Sequence, residues 1–150
     1  KKANYDYYEP RTIHESSLSP SIHSILATEI GYHQAALSFF NFATRMDIDD
    51  YNRNTREGLH MTSIAAAWMN IVYGFGGLRS DGDLLKLAPK CPEGWQSYQF
   101  KIQYHHTRIT VTVFPNEVVF SCDSNLPYPI MIYDQKYKLE KGITKVNVGN

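Results

Sequence analysis

Gly58-Leu59-His60-Met61-Thr62-Ser63-Ile64-Ala65-Ala66-Ala67-Trp68-Met69-Asn70-Ile71-Val72 decides the fold: apolar residues fall on nearly every face of the helix that this stretch predicts over 57–73. A helix with no polar side is expected to be buried all round, as in the inner ring of a helical barrel. Gly74-Phe75-Gly76-Gly77 then ends it, since glycines supply left-handed caps and turns. The same run is a poor phosphate loop, because a dinucleotide fingerprint follows a strand and this one follows a helix.

Upstream, Ile22, Ile25, Leu26, Ile30, His33, Leu37, Phe40 and Met46 recur at three- and four-residue spacing and predict one long helix from Pro20 to about Arg45. Gly31 inside it costs about 1 kcal/mol relative to alanine and suggests a close neighbour that needs the space. Asp47-Ile48-Asp49-Asp50-Tyr51-Asn52-Arg53-Asn54 is charged and turn-forming, and ends the helix as a solvated loop. Residues 1–19 show no regular period and Glu9-Pro10 disfavours helix at Glu9, so a loop is expected there. Ser19 before Pro20 reads as an N-cap followed by a first-turn proline. Ser16 and Ser17 lie just upstream, where a helix N-terminus and free hydroxyls can hold an anion such as phosphate. Serines before helices are usually caps and nothing more, and on these residues alone the cap reading stands first.

Downstream of Leu78 the period changes from helical to alternating. Tyr98-Gln99-Phe100-Lys101-Ile102-Gln103-Tyr104 and Arg108-Ile109-Thr110-Val111-Thr112-Val113-Phe114 alternate strictly, and Glu117-Val118-Val119-Phe120-Ser121-Cys122 follows the turn at Pro115-Asn116. Shorter strands are expected over 129–133 and 143–148, with a short apolar run at 84–87. Helices first and strands after suggest an α+β fold or two domains, with a boundary near 78–95 and an antiparallel, sandwich-type β part after it.

Composition narrows the class. At 150 residues, 43% hydrophobic and 20% charged, the chain is globular, and fifteen basic against fifteen acidic residues leave no field favouring nucleic acid or anionic lipid. Aromatics at 13% permit sugar stacking without requiring it. Cys91 and Cys122 form no disulfide framework, and free thiols fit a reducing compartment. No basic-then-apolar leader opens the chain, and the longest apolar stretch, 64–75, is too short to span a bilayer; a soluble, cytoplasmic protein is expected. The opening Lys1-Lys2-Ala3-Asn4 enters at once into mid-domain sequence, as a piece of a longer protein would.

Among reactive residues, His14, His23 and His33 fall nine and ten residues apart, and His105 and His106 are placed on opposite faces of a strand. No metal site emerges from these spacings. His60 sits at the start of the apolar helix beside Thr62 and Ser63, where a barrel mouth would bring it near Ser16 and Ser17 to donate to an anion oxygen; the simpler alternative is that it packs at a helix end. Glu9, Glu15, Glu29, Glu57, Asp81 and Asp83 are scattered, and nothing in their spacing selects the acid and base of a glycosidase.

Four motifs in order, Tyr8-Glu9-Pro10-Arg11-Thr12-Ile13-His14-Glu15-Ser16-Ser17-Leu18-Ser19-Pro20, Glu57-Gly58-Leu59-His60-Met61, Gly74-Phe75-Gly76-Gly77-Leu78-Arg79 and Leu87-Ala88-Pro89-Lys90-Cys91-Pro92-Glu93-Gly94-Trp95, closely resemble the C-terminal part of disaccharide phosphorylases of the maltose phosphorylase type, glycoside hydrolase family 65. They spread across about two-thirds of the chain; the remaining strands match only in character. The resemblance implies a larger enzyme with an N-terminal β-sandwich, an (α/α)6 barrel and a C-terminal β-domain, of which this chain carries the barrel's last helices, over 1–80, and the final β-domain, over 81–150. It implies cleavage of an α-linked glucose disaccharide, maltose first, by inorganic phosphate as co-substrate, with no cofactor and with inversion to β-glucose 1-phosphate. Ser16, Ser17 and His60 match phosphate-contacting positions of the family. The general-acid glutamate belongs upstream of residue 1, so no catalytic residue is assigned in this chain and alone it is expected to be inactive. Partners expected are the disaccharide, phosphate, the missing N-terminal part and, in the complete enzyme, further copies. An α-glucoside hydrolase of the same family, or a non-catalytic carbohydrate-binding or structural module, are the alternatives. Cys91 stands where the family pattern suggests an apolar residue.

Overall fold

The structure, a computed structural model, describes residues 1–148; the last two residues of the expected 81–150 domain lie outside the described residues. The chain forms two compact units, Lys1–Gly74 and Phe75–Asn150. The first is helical: α1 Lys2–Tyr8, α2 Ser19–Glu29, α3 His33–Arg45 and α4 Met61–Met69, the last continued by a π-helical turn, Asn70–Phe75. The second carries β1 Lys86–Leu87, β2 Tyr98–Tyr104, β3 Thr107–Val113, β4 Glu117–Cys122, β5 Tyr128–Ile132, β6 Gln135–Leu139 and β7 Gly142–Asn147. Helices followed by sheets make this an α+β chain, as the change of period predicts.

The helical unit departs from expectation at three places. Residues 1–19 are not all loop: α1 is followed by a short 3-10 turn, Glu9–Arg11, which accepts Pro10 because a proline near a helix start forfeits no bond. The long helix over 20–45 is two antiparallel helices, broken where Gly31 takes φ +84. Tyr32 N–H reaches back to the Ala27 carbonyl at 2.8 Å, closing the end of α2. Nothing lies within 4 Å of a Cβ built on Gly31, so the glycine serves backbone conformation and not a neighbour's need for space.

The third departure concerns α4. Its inward stripe is Ser63, Ala66 and Asn70, all buried, while Met61 (68% exposed), Ile64 (49%) and Trp68 (50%) face outward. The helix is therefore not buried on all sides in this chain; its small residues pack and its large ones are open. Small residues also build the neighbouring faces, with Ser21, Ser24, Ala27 and Thr28 on α2 and Ala36 and Ala43 on α3 buried. Hydroxyls tie the helices together: Ser24 donates to the Ala36 carbonyl at 2.9 Å and Ser63 to the Ala43 carbonyl at 3.0 Å. A hydroxyl buried this way stays satisfied, which is what permits polar residues in so close an interface.

The β unit follows the alternation closely. Sheet order is β2-β3-β4-β7 in one sheet and β1-β5-β6 in the other. The rungs Tyr98–Val113–Val118–Val146 and Phe100–Val111–Phe120 place buried side chains opposite one another across the first sheet. In the second sheet Leu87, Ile130, Ile132 and Leu139 are buried. Pairing is antiparallel except between β1 and β5, which run parallel, against the expectation of wholly antiparallel strands. The long connection from Leu87 to Tyr128 allows this, where a hairpin would not. His105 and His106 are not on a strand: they are the two central residues of the β2–β3 hairpin, at φ 44 and φ 63, as a type I′ turn requires. Cys91 and Cys122 are free thiols, and burial pushes the Cys91 thiol up, which makes it less reactive.

Gly77 is the tightest glycine. It has φ +61, and a Cβ there would meet the Ala88 carbonyl oxygen at 2.8 Å. Gly31→Ala is expected to cost about 1 kcal/mol from its left-handed conformation alone. Gly77→Ala, strained and obstructed by backbone, should cost clearly more; equal losses in chemical denaturation would contradict this assignment.

Candidate functional site

Two helices of the helical unit start toward the same end. Asn70 Nδ2 donates to Ser21 Oγ at 3.3 Å, and four residues on, Gly74 lies against Ile25 and Thr28. The contact pairs advance together along both chains, so α4 and its extension run parallel to α2. α4 begins nine residues before Asn70, about 13 Å back along the axis. α2 begins two residues before Ser21, about 3 Å back, so the loop carrying Ser16 and Ser17 and the start of α4 with His60 lie toward the same end of the unit, with α4 starting about 10 Å further out. No contact between the loop and His60 is recorded among the described residues.

In the loop, Ser16 is exposed and its hydroxyl accepts the Leu18 N–H at 3.3 Å, which leaves its proton to donate. Ser17 is half-buried. Ser19 is not the cap: Leu18 precedes the helix without a side-chain cap bond, and Ser19 Oγ instead meets His14 Nδ1 at 2.5 Å. Glu9 Oε1 stands 3.9 Å from His14 Nε2. Serine, histidine and carboxylate in that order suggest a nucleophile, but the residue after Ser19 is Pro20, which lacks the N–H that would complete an oxyanion hole. His14 and His23, which sequence spacing separates, are in ring contact, with centroids 4.6 Å apart. The loop folds back over α2 and makes neighbours of residues nine apart.

His60 is the residue before α4, and its environment is set by Asp47. Asp47 Oδ2 accepts the His60 backbone N–H at 2.9 Å and Asp47 Oδ1 meets His60 Nδ1 at 2.6 Å. Both side chains are largely buried, 17% and 13% exposed. The charged turn over 47–54 is thus not simply a solvated loop. Asp47 orients His60, Asp49 holds Arg45 through two bonds of 2.7 and 2.8 Å, and Asp50 accepts from Thr55. With Nδ1–H given to Asp47, Nε2 is the nitrogen available to a ligand. It can accept from a protonated phosphate oxygen or, as imidazolium, donate to an ionised one.

The hydrogen bond from the His60 side chain, with that from its backbone, holds the Asp47 carboxyl below the usual carboxylate range. A carboxylate whose value is depressed on folding stabilises the fold fully above its ordinary value near 4, and that contribution is lost as pH falls through the folded value. Asp47→Asn should therefore lower the melting temperature at neutral pH, and the gap to the parent should close in acid. A gap unchanged from pH 7 to pH 2 would contradict the ionised pairing.

The partners of Asp47 and His14 are hidden from sequence reasoning because they lie at separations that no helical or strand period relates. No cluster of His, Cys, Asp and Glu among the described residues could hold a metal ion, and no helix among them is long and apolar enough to cross a membrane.

Residues 1–69 match the family model described as Glycosyl hydrolase family 65 central catalytic domain, and residues 78–139 match Glycosyl hydrolase family 65, C-terminal domain. The chain is similar to the α,α-trehalose phosphorylase of Thermoanaerobacter brockii, 45% identical over 96% of this chain and 19% of that protein. It is similar to the maltose phosphorylase of Bacillus subtilis, 41% identical over 93% of this chain and 18% of that one. The kojibiose phosphorylase of Halothermothrix orenii is 40% identical over 81% of this chain and 16% of its own length. A solved structure of a candidate kojibiose phosphorylase from the human microbiome superposes with TM-score 0.91 at 52% identity, over 97% of this chain and 21% of that one. The chain thus spans about a fifth of the length of the curated relatives it matches.

Proposed function

The chain belongs to glycosyl hydrolase family 65, and on that premise we propose that it is the C-terminal part of an inverting disaccharide phosphorylase, to which it contributes phosphate ligands and not the general acid. The observation that carries this reading is the Asp47–His60 pair, oriented at the same end of the helical unit as the Ser16-Ser17 loop. Hydroxyl protons and a helix start supply directional donors to a phosphate, and His60 Nε2 either accepts from its remaining O–H or, as imidazolium, donates to an ionised oxygen.

In phosphorolysis a phosphate oxygen attacks the anomeric carbon as the glycosidic C–O bond breaks, and the departing oxygen takes a proton from a carboxylic acid on the opposite face. Ser16, Ser17 and His60 would hold the nucleophile in line, replacing the activated water of an inverting hydrolase; fixing its orientation is their share of the catalysis. The family resemblance puts the general acid upstream of residue 1, so no glutamate of this chain is given its role; of those present, Glu9 lies against His14, and Glu29 and Glu117 are paired with lysines. Alone, the chain is therefore expected to release no glucose 1-phosphate.

Relatives named for trehalose, maltose and kojibiose are almost equally similar to this segment, which is why its residues do not choose among the linkages. Maltose is our first substrate. The test is to incubate the full-length enzyme with maltose, trehalose or kojibiose, each with and without phosphate, and to measure β-glucose 1-phosphate and free glucose. We expect phosphate-dependent release, from maltose foremost. Glucose release at full rate without phosphate would replace this reading with a hydrolase.

A further inference from the structure

Resting on the phosphate reading of Ser16 and Ser17, we infer that His14 is a positioning residue whose bond to Ser19 holds the loop between them in its ligand-binding shape. His14 and Ser19 bracket the two serines, and the 2.5 Å contact between His14 Nδ1 and Ser19 Oγ closes the loop at its base. Inside the closure, Ser19 N–H donates to the Ser16 carbonyl at 3.3 Å and Leu18 N–H to the Ser16 hydroxyl at 3.3 Å. Every bond that shapes the loop therefore ends on Ser16 or Ser19.

The imidazole is itself held from three sides. His23 of α2 meets it edge to face at 4.6 Å, Phe39 of α3 packs at 4.8 Å, and the 3-10 turn places Glu9 Oε1 3.9 Å from Nε2. His23 is in turn fixed, its Nδ1 2.9 Å from the Ser19 carbonyl and its ring 5.8 Å from that of Tyr5 on α1. Nε2 of His14 is buried and has no hydrogen-bond partner. A proton on Nε2 faces the Glu9 carboxylate, which leaves Nδ1 as the acceptor of the Ser19 O–H. Burial, with the neighbouring His23, holds His14 below the usual histidine range and so keeps this neutral form. A ring this constrained, with one nitrogen spent on the loop and the other turned away from solvent, acts through Ser19 and touches no substrate.

The test uses the full-length enzyme and steady-state kinetics in both substrates. His14→Leu is expected to raise the phosphate KM about tenfold, with disaccharide KM and kcat at saturating phosphate within about twofold of the parent. Ser19→Ala, a mild change that keeps the fold, should do the same. The double variant should be no worse than either single one, because one bond is lost in each case. His14→Asn, whose side-chain amide occupies the place of Nδ1, should retain most of the phosphate affinity, and His14→Gln, which mimics Nε2, should not. Additive losses, or equal losses in both substrates, would overturn the proposal. If Ser17→Ala weakens phosphate and neither His14→Leu nor Ser19→Ala does, this inference fails alone; if Ser17→Ala also leaves phosphate KM unchanged, the reading beneath it fails as well.

Discussion

His60→Ala in the full-length enzyme is expected to lower kcat/KM for phosphate about a hundredfold, the usual cost of deleting one oriented group that faces developing or resident negative charge. The effect should appear when phosphate is varied and largely vanish from the disaccharide KM. The reason lies in how His60 is held. Asp47 takes both its backbone N–H and its Nδ1, and Ser63, three residues on, anchors α4 to the Ala43 carbonyl. Nε2 is thereby aimed without further ordering cost when the ligand arrives. Asp47→Asn should show a smaller loss of the same kind, because it misorients the ring without removing it. A His60→Ala enzyme with parental phosphate kinetics would reduce His60 to a packing residue at a helix start.

The second large effect concerns the open face of α4 and has opposite signs in two settings. Met61, Ile64, Ala65 and Trp68 follow one another at helical spacing and are all exposed, while the inward stripe is small and polar. A helix with its large apolar residues outward is organised to be covered, and each of Met61, Ile64 and Trp68 gains about 2 kcal/mol when it is. We propose that the remainder of the catalytic domain covers it. Ile64→Lys with Trp68→Lys should then improve the behaviour of this chain by itself, turning an associating species into a monodisperse one in light scattering. In the full-length enzyme the same pair should cost several kcal/mol and abolish soluble expression at 37 °C. Tolerance of both lysines by the full-length enzyme would show that this face is solvent-exposed there too.

Much of the fold was legible in the residues because it rests on local periods. The alternation of Tyr98 to Tyr104 and of Glu117 to Cys122 gave strands with those bounds, since a half-buried strand writes its register directly into sequence. β6 escaped because Gln135-Lys136-Tyr137-Lys138-Leu139 is an outer, charged strand with only Leu139 buried. Gly31 has the pattern of a tight packing point inside a helix and is a left-handed stop; periodicity cannot separate the two when the apolar stripe resumes in phase on the far side. α4 misled in a different way. An apolar pattern on every face does not say which side packs, and in this chain the small side is buried while Met61, Ile64 and Trp68 stay exposed.

Of the site, helix starts and hydroxyls were visible, and Ser16, Ser17 and His60 could be named from them and from the family resemblance. Their supports could not. Asp47 reaches His60 across thirteen residues of turn, and His14 reaches Ser19 only because the loop closes on itself. Orientation of a side chain by a distant partner leaves no period in the sequence; it comes from the fold.

The most direct measurement is a crystal structure of the full-length enzyme grown or soaked with phosphate. The proposed site predicts one tetrahedral anion within hydrogen-bond distance of the Ser16 and Ser17 hydroxyls and of His60 Nε2, with His60 Nδ1 still on Asp47 and His14 still on Ser19. An active enzyme whose bound phosphate lies elsewhere, with His60 Nε2 and both hydroxyls in contact only with protein or water, would contradict it.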